Sequence, residues 1–253
     1  MERMNLIVSD LDDTLLGDDA ALRRFAAWYE EMRPNFRLAY SSGRFRDSIL
    51  QSIAETDLPE PDAVICGVGT EIYVGDDDIP LAGWPQASGK NWNADSIHAV
   101  CRGFVELEPQ PDEFQSRYKL SFYAYDLDEA CLARLRQQLD AAGQQASVVY
   151  SSNRDLDVLP ARTHKGAAAG RLAAHWMIDR RRVIVAGDSG NDATMFHEGF
   201  RGIIVGNAKP ELRALAGPRI YHAVETYAAG VVEGLDHWLA ELWPAAVRFD
   251  RVT

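Results

Sequence analysis

The sequence opens with a short, nearly unbroken apolar run that ends in carboxylates. Residues 4–9 read Met-Asn-Leu-Ile-Val-Ser, and Asp10, Asp12 and Asp13 follow at once. A run of this length, with Ile and Val at its centre, predicts a strand that is buried on both faces, as in a parallel sheet covered by helices. Open α/β sheets bind their ligands outside the carboxyl ends of the strands. We therefore predict that the functional site follows this first strand.

The pair Asp10 and Asp12 suits a divalent cation together with a phosphate group. Mg²⁺ prefers oxygen ligands and usually keeps phosphate oxygens in its coordination shell. A carboxylate in such a site can also act as a nucleophile. By itself the pair is equally compatible with an acidic loop that caps the next helix, so the assignment depends on partner residues elsewhere in the chain.

Three later segments supply such partners. The predicted strand 36–40 runs into Ser-Ser-Gly-Arg at 41–44, where backbone N–H groups and a hydroxyl can point at an anion, although a plain strand-to-helix turn is the alternative. Lys165 begins a predicted helix, a position that the helix dipole disfavours for a cation, which favours a functional reason. The predicted strand 182–186 ends in Gly-Asp-Ser-Gly-Asn-Asp at 187–192.

Between the second and third of these segments the pattern changes. It predicts a helix, a strand, a second helix and two strands, at 93–109, 118–125, 128–143, 146–150 and 155–159. Because parallel-type strands resume afterwards, this α+β unit is an insertion into a larger α/β fold. We predict a Rossmann-like, mostly parallel sheet with helices on both faces, formed by residues 1–82 and 160–253. The smaller α+β domain spans residues 83–159, with the boundary over 81–90.

Composition excludes several classes of function. The chain of 253 residues carries a formal net charge of -12, which argues against nucleic acid or an anionic membrane as partner. Its three cysteines, Cys66, Cys101 and Cys131, are widely spaced and form no CxxC, so neither a disulfide framework nor a zinc site is indicated. We find no signal-peptide pattern and no apolar run of about 20 residues. A cytoplasmic protein is the expectation.

The four segments resemble, in order and type, the motifs of the haloacid dehalogenase superfamily of phosphotransferases. They are Asp10–Thr14, Ser42–Arg44, Lys165–Gly166 and Gly187–Asp192. The insertion point resembles that of the superfamily's C2-type cap domain. Nearly the whole chain further resembles the sucrose-phosphate phosphatase family, through residues 38–44, 69–73, 151–160, 202–212 and 230–235. Ser42 replaces the more usual Thr and keeps the hydroxyl group.

This resemblance implies an enzyme that uses Mg²⁺ and forms an aspartyl phosphate. Asp10 would be the nucleophile, and Asp12 the general acid and base. The implied metal site comprises Asp10, Asp12 through its backbone carbonyl, Asp188 and Asp192. The implied phosphate-binding set comprises Ser42, Gly43, Lys165 and Asn191, with Asn191 and Asp192 orienting the lysine or the metal-bound waters.

The implied substrate is a small sugar phosphate that is recognised by polar groups of the cap domain. Our candidates are Glu71, Lys119, Ser121, Ser151, Ser152 and Asp155, each of which is also compatible with ordinary surface. Lys119 and Ser121 lie two residues apart and would share one face of a strand. Sucrose 6-phosphate is the leading substrate; mannosylfructose phosphate and glucosyl- or mannosylglycerate phosphates are alternatives. A non-catalytic module that docks on a glycosyltransferase, and association with a sugar-phosphate synthase, are further hypotheses.

Overall fold

A computed structural model describes residues 4–85 and 91–242. These residues form eleven strands, which we number in chain order. They are β1 (Asn5–Ser9), β2 (Phe36–Ser41), β3 (Ala63–Cys66), β4 (Glu71–Val74), β5 (Glu108–Pro109), β6 (Leu120–Tyr123), β7 (Ala146–Ser151), β8 (Asp155–Pro160), β9 (Val183–Gly187), β10 (Arg201–Ile204) and β11 (Ile220–His222).

Eight α-helices accompany the strands in the described ranges. They are α1 (Asp19–Met32), α2 (Arg46–Glu55), α3 (Ala94–Cys101), α4 (Glu129–Ala141), α5 (Lys165–His175), α6 (Ala193–His197), α7 (Pro210–Arg213) and α8 (Tyr227–Leu242). Among the residues described, no helix is both long and apolar enough to cross a bilayer.

The larger sheet has seven strands in the order β11-β10-β9-β1-β2-β3-β4. All neighbouring strands are parallel except β3 and β4, which are antiparallel. Every residue of β1 and β9 is buried, as expected for central strands covered on both faces. Helix α1 packs against α8, and α5 packs against α6. The predicted α/β fold, a mostly parallel sheet flanked by helices, is therefore confirmed.

A second sheet of four antiparallel strands, in the order β5-β6-β8-β7, is inserted between β4 and α5. One of its faces packs on α3 and α4 and has its own apolar cluster, which includes Ile97, Phe122, Leu135 and Val158. The cluster does not share residues with the core of the larger sheet. The predicted domain limits stay a prediction, and positions 86–90 of the predicted boundary lie outside the described residues.

The predicted helix over 93–109 is wrong in its second half. Helix α3 ends at Cys101, after which the Gly103 and Phe104 N–H groups form tight turns with the carbonyl oxygens of Val100 and Cys101. Phe104 is still buried, so the apolar spacing that predicts a helix is satisfied by a turn. The freed segment then forms β5, which pairs with β6. Neither β4 nor β11 is predicted, because only Ile72 of β4 and no residue of β11 is buried, so neither segment contains a buried apolar run.

Candidate active site

Asp10 follows β1, the strand that lies between β2 and β9. Its backbone N–H donates to the carbonyl oxygen of Ala186 at 3.0 Å, which fixes its position relative to β9. The loops after β2 and β9, which carry Ser42 and Asp188, flank it because parallel strands end at one edge of the sheet. The side chains of all three residues are buried. The structure therefore brings the first, second and fourth predicted segments together.

Lys165, the first residue of α5, completes this group. Its side chain is fully buried, and Nζ donates to Asp10 Oδ1 at 2.6 Å and to Asp192 Oδ1 at 2.7 Å. A Cβ on Gly69, which has φ +98°, would lie 2.4 Å from the carbonyl carbon of His164, so only glycine allows this approach to the start of the helix. Burial alone would lower the pKa of Lys165, but Asp10 and Asp192 raise it above its usual value. Lys165 is therefore a charged lysine between two carboxylates.

Asp10, Asp188 and Asp192 form a buried acidic cluster whose carboxylate oxygens lie within 4.8 Å of one another. Burial raises the pKa of Asp10 well above its usual range; Lys165 opposes this effect, and the other two carboxylates add to it. Burial, together with Asp192, raises the pKa of Asp188 to about 7. Three carboxylates against one lysine leave an excess of negative charge when ionised. The donor set is all oxygen and fits a divalent hard cation.

Asp192 differs from its two neighbours in that both of its carboxylate oxygens accept hydrogen bonds from protein donors. Oδ1 accepts from Lys165, and Oδ2 accepts the backbone N–H groups of Asp188 and Ser189 at 3.0 and 3.2 Å. A Cβ on Gly187 would lie 2.6 Å from this carboxyl group, so glycine is needed there. These contacts fit the predicted role of orienting Lys165. The Asn191 side chain lies beside Ser189, whose hydroxyl is 3.5 Å from Asn191 Oδ1, and its orienting role stays a prediction.

Asp12 lies outside the acidic cluster. Its side chain is half exposed, and both of its oxygens contact the guanidinium group of Arg44, with Nε donating to Oδ2 at 2.8 Å. Arg44 is absent from the predicted site residues, although it ends the Ser-Gly-Arg segment. The predicted metal contact of Asp12 is through its backbone carbonyl, and this stays a prediction.

Ser42 and Gly43 form the turn after β2. The Ser42 hydroxyl is buried and accepts the backbone N–H of Arg44 at 3.1 Å. The backbone N–H of Val68 donates to the Ser42 carbonyl oxygen at 3.0 Å, which ties the turn to the loop after β3. This turn lies beside Asp10, as the phosphate-binding prediction requires.

The second sheet places a buried polar group above the larger sheet. Lys119 Nζ forms an ion pair with Asp157 at 3.1 Å and lies 5.6 Å from the centre of the Phe45 ring, next to the Ser42 turn. The Ser121 hydroxyl donates to Asp157 Oδ1 at 2.6 Å. Asp157 is absent from the predicted substrate residues. The alternation of the predicted strand 155–159, which puts it on the same face as Asp155, could have indicated it.

This face of the second sheet is turned toward the larger sheet. Val149 pairs with Asp157 across β7 and β8 and is buried against Val68, which belongs to the loop after β3. The opposite face carries Leu120, Phe122, Leu156 and Val158 and packs on α3 and α4. Lys119, Ser121, Asp155 and Asp157 therefore line the side of the insertion that faces the loops after β2 and β3.

The remaining predicted substrate residues occupy different positions. Ser151 is buried, and its Cα would lie 3.4 Å from a Cβ on Gly190. Ser152 is exposed, and its N–H donates to Glu211 at 3.2 Å.

Asp155 Oδ1 accepts a hydrogen bond from Gln110 Nε2 at 2.9 Å, and the Asp155 carboxylate also forms an ion pair with Arg154. Glu71 accepts from the Tyr73 hydroxyl at 3.0 Å within β4. Lys119 and Ser121 therefore lie together in one buried polar group, whereas Ser152 is exposed at the protein surface.

Comparison with known proteins agrees with this geometry. Residues 3–239 match the family model for sucrose-6F-phosphate phosphohydrolase. A mannosylfructose-phosphate phosphatase from Agrobacterium fabrum is 37% identical, over 94% of this chain and 98% of that protein. Sucrose-phosphatase 2 from Nicotiana tabacum is 32% identical, over 92% of this chain and 58% of that protein.

A solved structure from the same family has a similar fold. The sucrose-phosphatase from Synechocystis, crystallised with sucrose and phosphate, superposes with a TM-score of 0.87 at 33% identity, covering 93% of this chain and 98% of that one. The match spans both sheets. The chain therefore belongs to the sucrose-6F-phosphate phosphohydrolase family of haloacid dehalogenase phosphatases and is a phosphoric monoester hydrolase.

Proposed function

We propose that the protein is a Mg²⁺-dependent phosphatase that hydrolyses a disaccharide phosphate. The observation that carries this proposal is the buried Lys165, bound to both Asp10 and Asp192 beside Asp188. Sucrose 6-phosphate is the leading substrate. Mannosylfructose phosphate is the main alternative, because the relative named for it is the more similar of the two enzymes compared above, and glucosyl- or mannosylglycerate phosphates also remain alternatives.

Asp10, Asp188 and the backbone carbonyl of Asp12 are the groups that we assign to the metal. When bound, Mg²⁺ would reduce the repulsion between the anionic phosphate and the carboxylates. Asp192 would act indirectly, because both of its oxygens already accept from protein donors.

Asp10 is the proposed nucleophile. A carboxylate oxygen of Asp10 forms a bond to phosphorus while the bond between phosphorus and the sugar oxygen breaks. Water then attacks the aspartyl phosphate, and inorganic phosphate leaves as the Asp10 carboxylate is restored. Lys165 holds Asp10 in place and, with Ser42, Gly43 and Asn191, would bind the phosphoryl oxygens.

Asp12 is the proposed general acid and base. It gives a proton to the departing sugar oxygen and then takes one from the attacking water. Arg44 contacts both oxygens of Asp12, so the carboxyl group must leave Arg44 to reach the sugar. We assign Arg44 the role of holding Asp12 when no substrate is bound.

The inserted unit, predicted to span residues 83–159, is the proposed cap domain, which recognises the sugar. Lys119, Ser121 and Asp157 together supply an ammonium, a hydroxyl and a carboxylate on the face turned toward the larger sheet. Sugar hydroxyls both donate and accept, so such a set can bind them in pairs. Glu71, Ser151, Ser152 and Asp155 stay candidates for the same role.

Three wider hypotheses complete the proposal. Cys66, Cys101 and Cys131 are free thiols, which supports a location in the reducing cytoplasm. A non-catalytic docking module is disfavoured because Asp10, Lys165 and their partners are assembled. Association with a sugar-phosphate synthase stays a prediction.

The test is phosphate release from the purified protein, with and without Mg²⁺. The panel contains sucrose 6-phosphate, mannosylfructose phosphate, glucosyl- and mannosylglycerate phosphates, and simple hexose phosphates. We expect Mg²⁺-dependent turnover that is highest for one disaccharide phosphate, and Asp10→Asn should abolish it while the protein stays folded. Wild-type rates from Asp10→Asn, measured by the same assay, would refute the mechanism. A preference for hexose phosphates would refute the disaccharide assignment alone.

A further inference from the structure

Two residues near the site adopt left-handed backbone conformations that favour glycine. Asp13, in the loop after β1, has φ 58°, and Tyr227, the first residue of α8, has φ 52°. The side chain of Asn207 forms hydrogen bonds with the backbone of both residues. Asn207 Nδ2 donates to the Asp13 carbonyl oxygen at 2.7 Å, and the Tyr227 N–H donates to Asn207 Oδ1 at 2.8 Å.

The Tyr227 ring reinforces this link. A Cβ on Gly17 would lie 2.4 Å from the ring, so the aromatic side chain packs directly on the loop that follows Asp13. The start of α8 therefore supports the loop after β1 in two ways, through Asn207 and through the Tyr227 ring.

The residues that follow Asn207 reach the loop after β9. The backbone N–H of Lys209 donates to the Asp188 carbonyl oxygen at 2.7 Å, and Lys209 Nζ lies 3.6 Å from Asp13 Oδ2. Thr14, next to the residue that Asn207 holds, lies with its hydroxyl 3.4 Å from Asp188 Oδ1. Residues 207–209 thus connect the two loops that carry Asp10 and Asp188.

We propose that Asn207 is a positioning residue that sets the distance between these two loops and thereby the affinity of the site for Mg²⁺. This inference rests on the proposed function, because it assumes a metal ion held by Asp10 and Asp188. Asn207 touches neither carboxylate. It acts through the Asp13 carbonyl and, one residue later, through the contact of Thr14 with Asp188.

The chemistry of the link explains why asparagine is suited to it. One amide group supplies a donor for a carbonyl oxygen and an acceptor for an N–H group, and both distances are those of good hydrogen bonds. Alanine supplies neither group. Residues that contact a metal ligand directly, as Thr14 contacts Asp188, typically change metal affinity or activity by about 10- to 100-fold when they are replaced.

Asn5 provides a matched control at the opposite end of β1. It is buried, its Nδ2 donates to the Asn35 carbonyl oxygen at 3.1 Å, and its Oδ1 accepts from Arg182 at 3.2 Å. Asn5 therefore makes the same kind of two-sided link as Asn207 but lies at the amino end of the strand, away from the acidic cluster.

The experiment is a calorimetric titration of Mg²⁺ into the full-length protein without substrate, for the wild type and for Asn207→Ala, Thr14→Val and Asn5→Ala. We expect Asn207→Ala to raise the Kd for Mg²⁺ by about tenfold or more. Thr14→Val should change the Kd in the same direction, and it tests the same path if Asn207→Ala does not fold. Asn5→Ala should lower the thermal midpoint and leave the Kd unchanged.

Three outcomes would overturn the proposal, and they are distinguishable. A wild-type Kd in both Asn207→Ala and Thr14→Val would refute the positioning role while leaving the proposed function intact. An equal rise in Kd for Asn5→Ala would mean that the effect reflects general loss of stability. Wild-type protein that binds no Mg²⁺, yet releases phosphate without it, would refute the metal assignment itself, and the positioning role with it.

Discussion

Lys165 is the residue on which the electrostatics of the site depend. It is fully buried, and its ammonium group contacts Asp10 and Asp192, which are buried too. Breaking a buried ion pair by removing one partner leaves an uncompensated buried charge. The lysine therefore stabilises the fold as well as the site. An exposed phosphate-binding lysine would not have this structural role.

We predict that Lys165→Met lowers the free energy of unfolding of the metal-free protein by about 3–5 kcal/mol, because it leaves Asp10 and Asp192 without their cation. Denaturant unfolding in the presence of EDTA measures this change. The double variant Lys165→Met/Asp192→Asn should recover part of the loss, since it removes one of the two unpaired carboxylates. Equal stabilities for the single and double variants would contradict this account.

At the scale of elements, strand β6 has one apolar face and one polar face. Leu120 and Phe122 pack on the helices of the insertion, whereas Ser121, together with Lys119 just before the strand, contacts Asp157 on the face turned toward the larger sheet. Substitutions on the polar face therefore remove no contact of the apolar cluster, although replacing Lys119 also leaves the buried Asp157 without its cation.

We predict that Lys119→Ala/Ser121→Ala raises KM for the disaccharide phosphate by about tenfold or more, because the lost hydrogen bonds contribute roughly 1–3 kcal/mol. The rate with a small phosphate ester such as p-nitrophenyl phosphate should stay unchanged. Arg134→Ala is the control, since Arg134 pairs with Glu106 on the exposed side of the same unit. An equal loss on both substrates would argue against a role in sugar recognition.

At the scale of the whole molecule, the acidic cluster couples folding to metal and to pH. The folded-state pKa of Asp188 is raised to about 7. A carboxyl group whose pKa is raised on folding stabilises the native state below its unfolded pKa, and this contribution is lost as pH rises through about 7. Metal-free protein is therefore expected to lose this contribution as pH rises toward 7 and to lack it above 7, where the ionised carboxylates bind Mg²⁺ best.

We predict that Mg²⁺ at 100 times its Kd raises the free energy of unfolding by about 2.7 kcal/mol at pH 8. The gain should be smaller at pH 5.5, where the carboxyl groups must first release protons. Denaturant unfolding at both pH values, with Mg²⁺ or with K⁺ at matched ionic strength, measures it. Asp188→Asn should abolish the Mg²⁺ effect, and a gain that persists in this variant would place the cation elsewhere.

The sequence by itself determined the α/β fold and most of the active-site group. An apolar run followed by carboxylates identifies both a buried strand and the end at which its ligands bind, because side chains alternate locally and parallel strands end at one edge. The four family segments therefore predicted Asp10, Ser42, Lys165 and Asp188 as neighbours, although Asp10 and Lys165 are 155 residues apart.

Only the tertiary structure decided how individual side chains pair. The Asp12–Arg44 and Lys119–Asp157 ion pairs and the link from Asn207 to Asp13 join residues that local periodicity cannot relate. The same limit applies to residues 102–107, where apolar spacing predicts a helix but buried Phe104 is reached through a turn. Periodicity specifies which face of an element is apolar; the partner of a polar group depends on how distant elements pack.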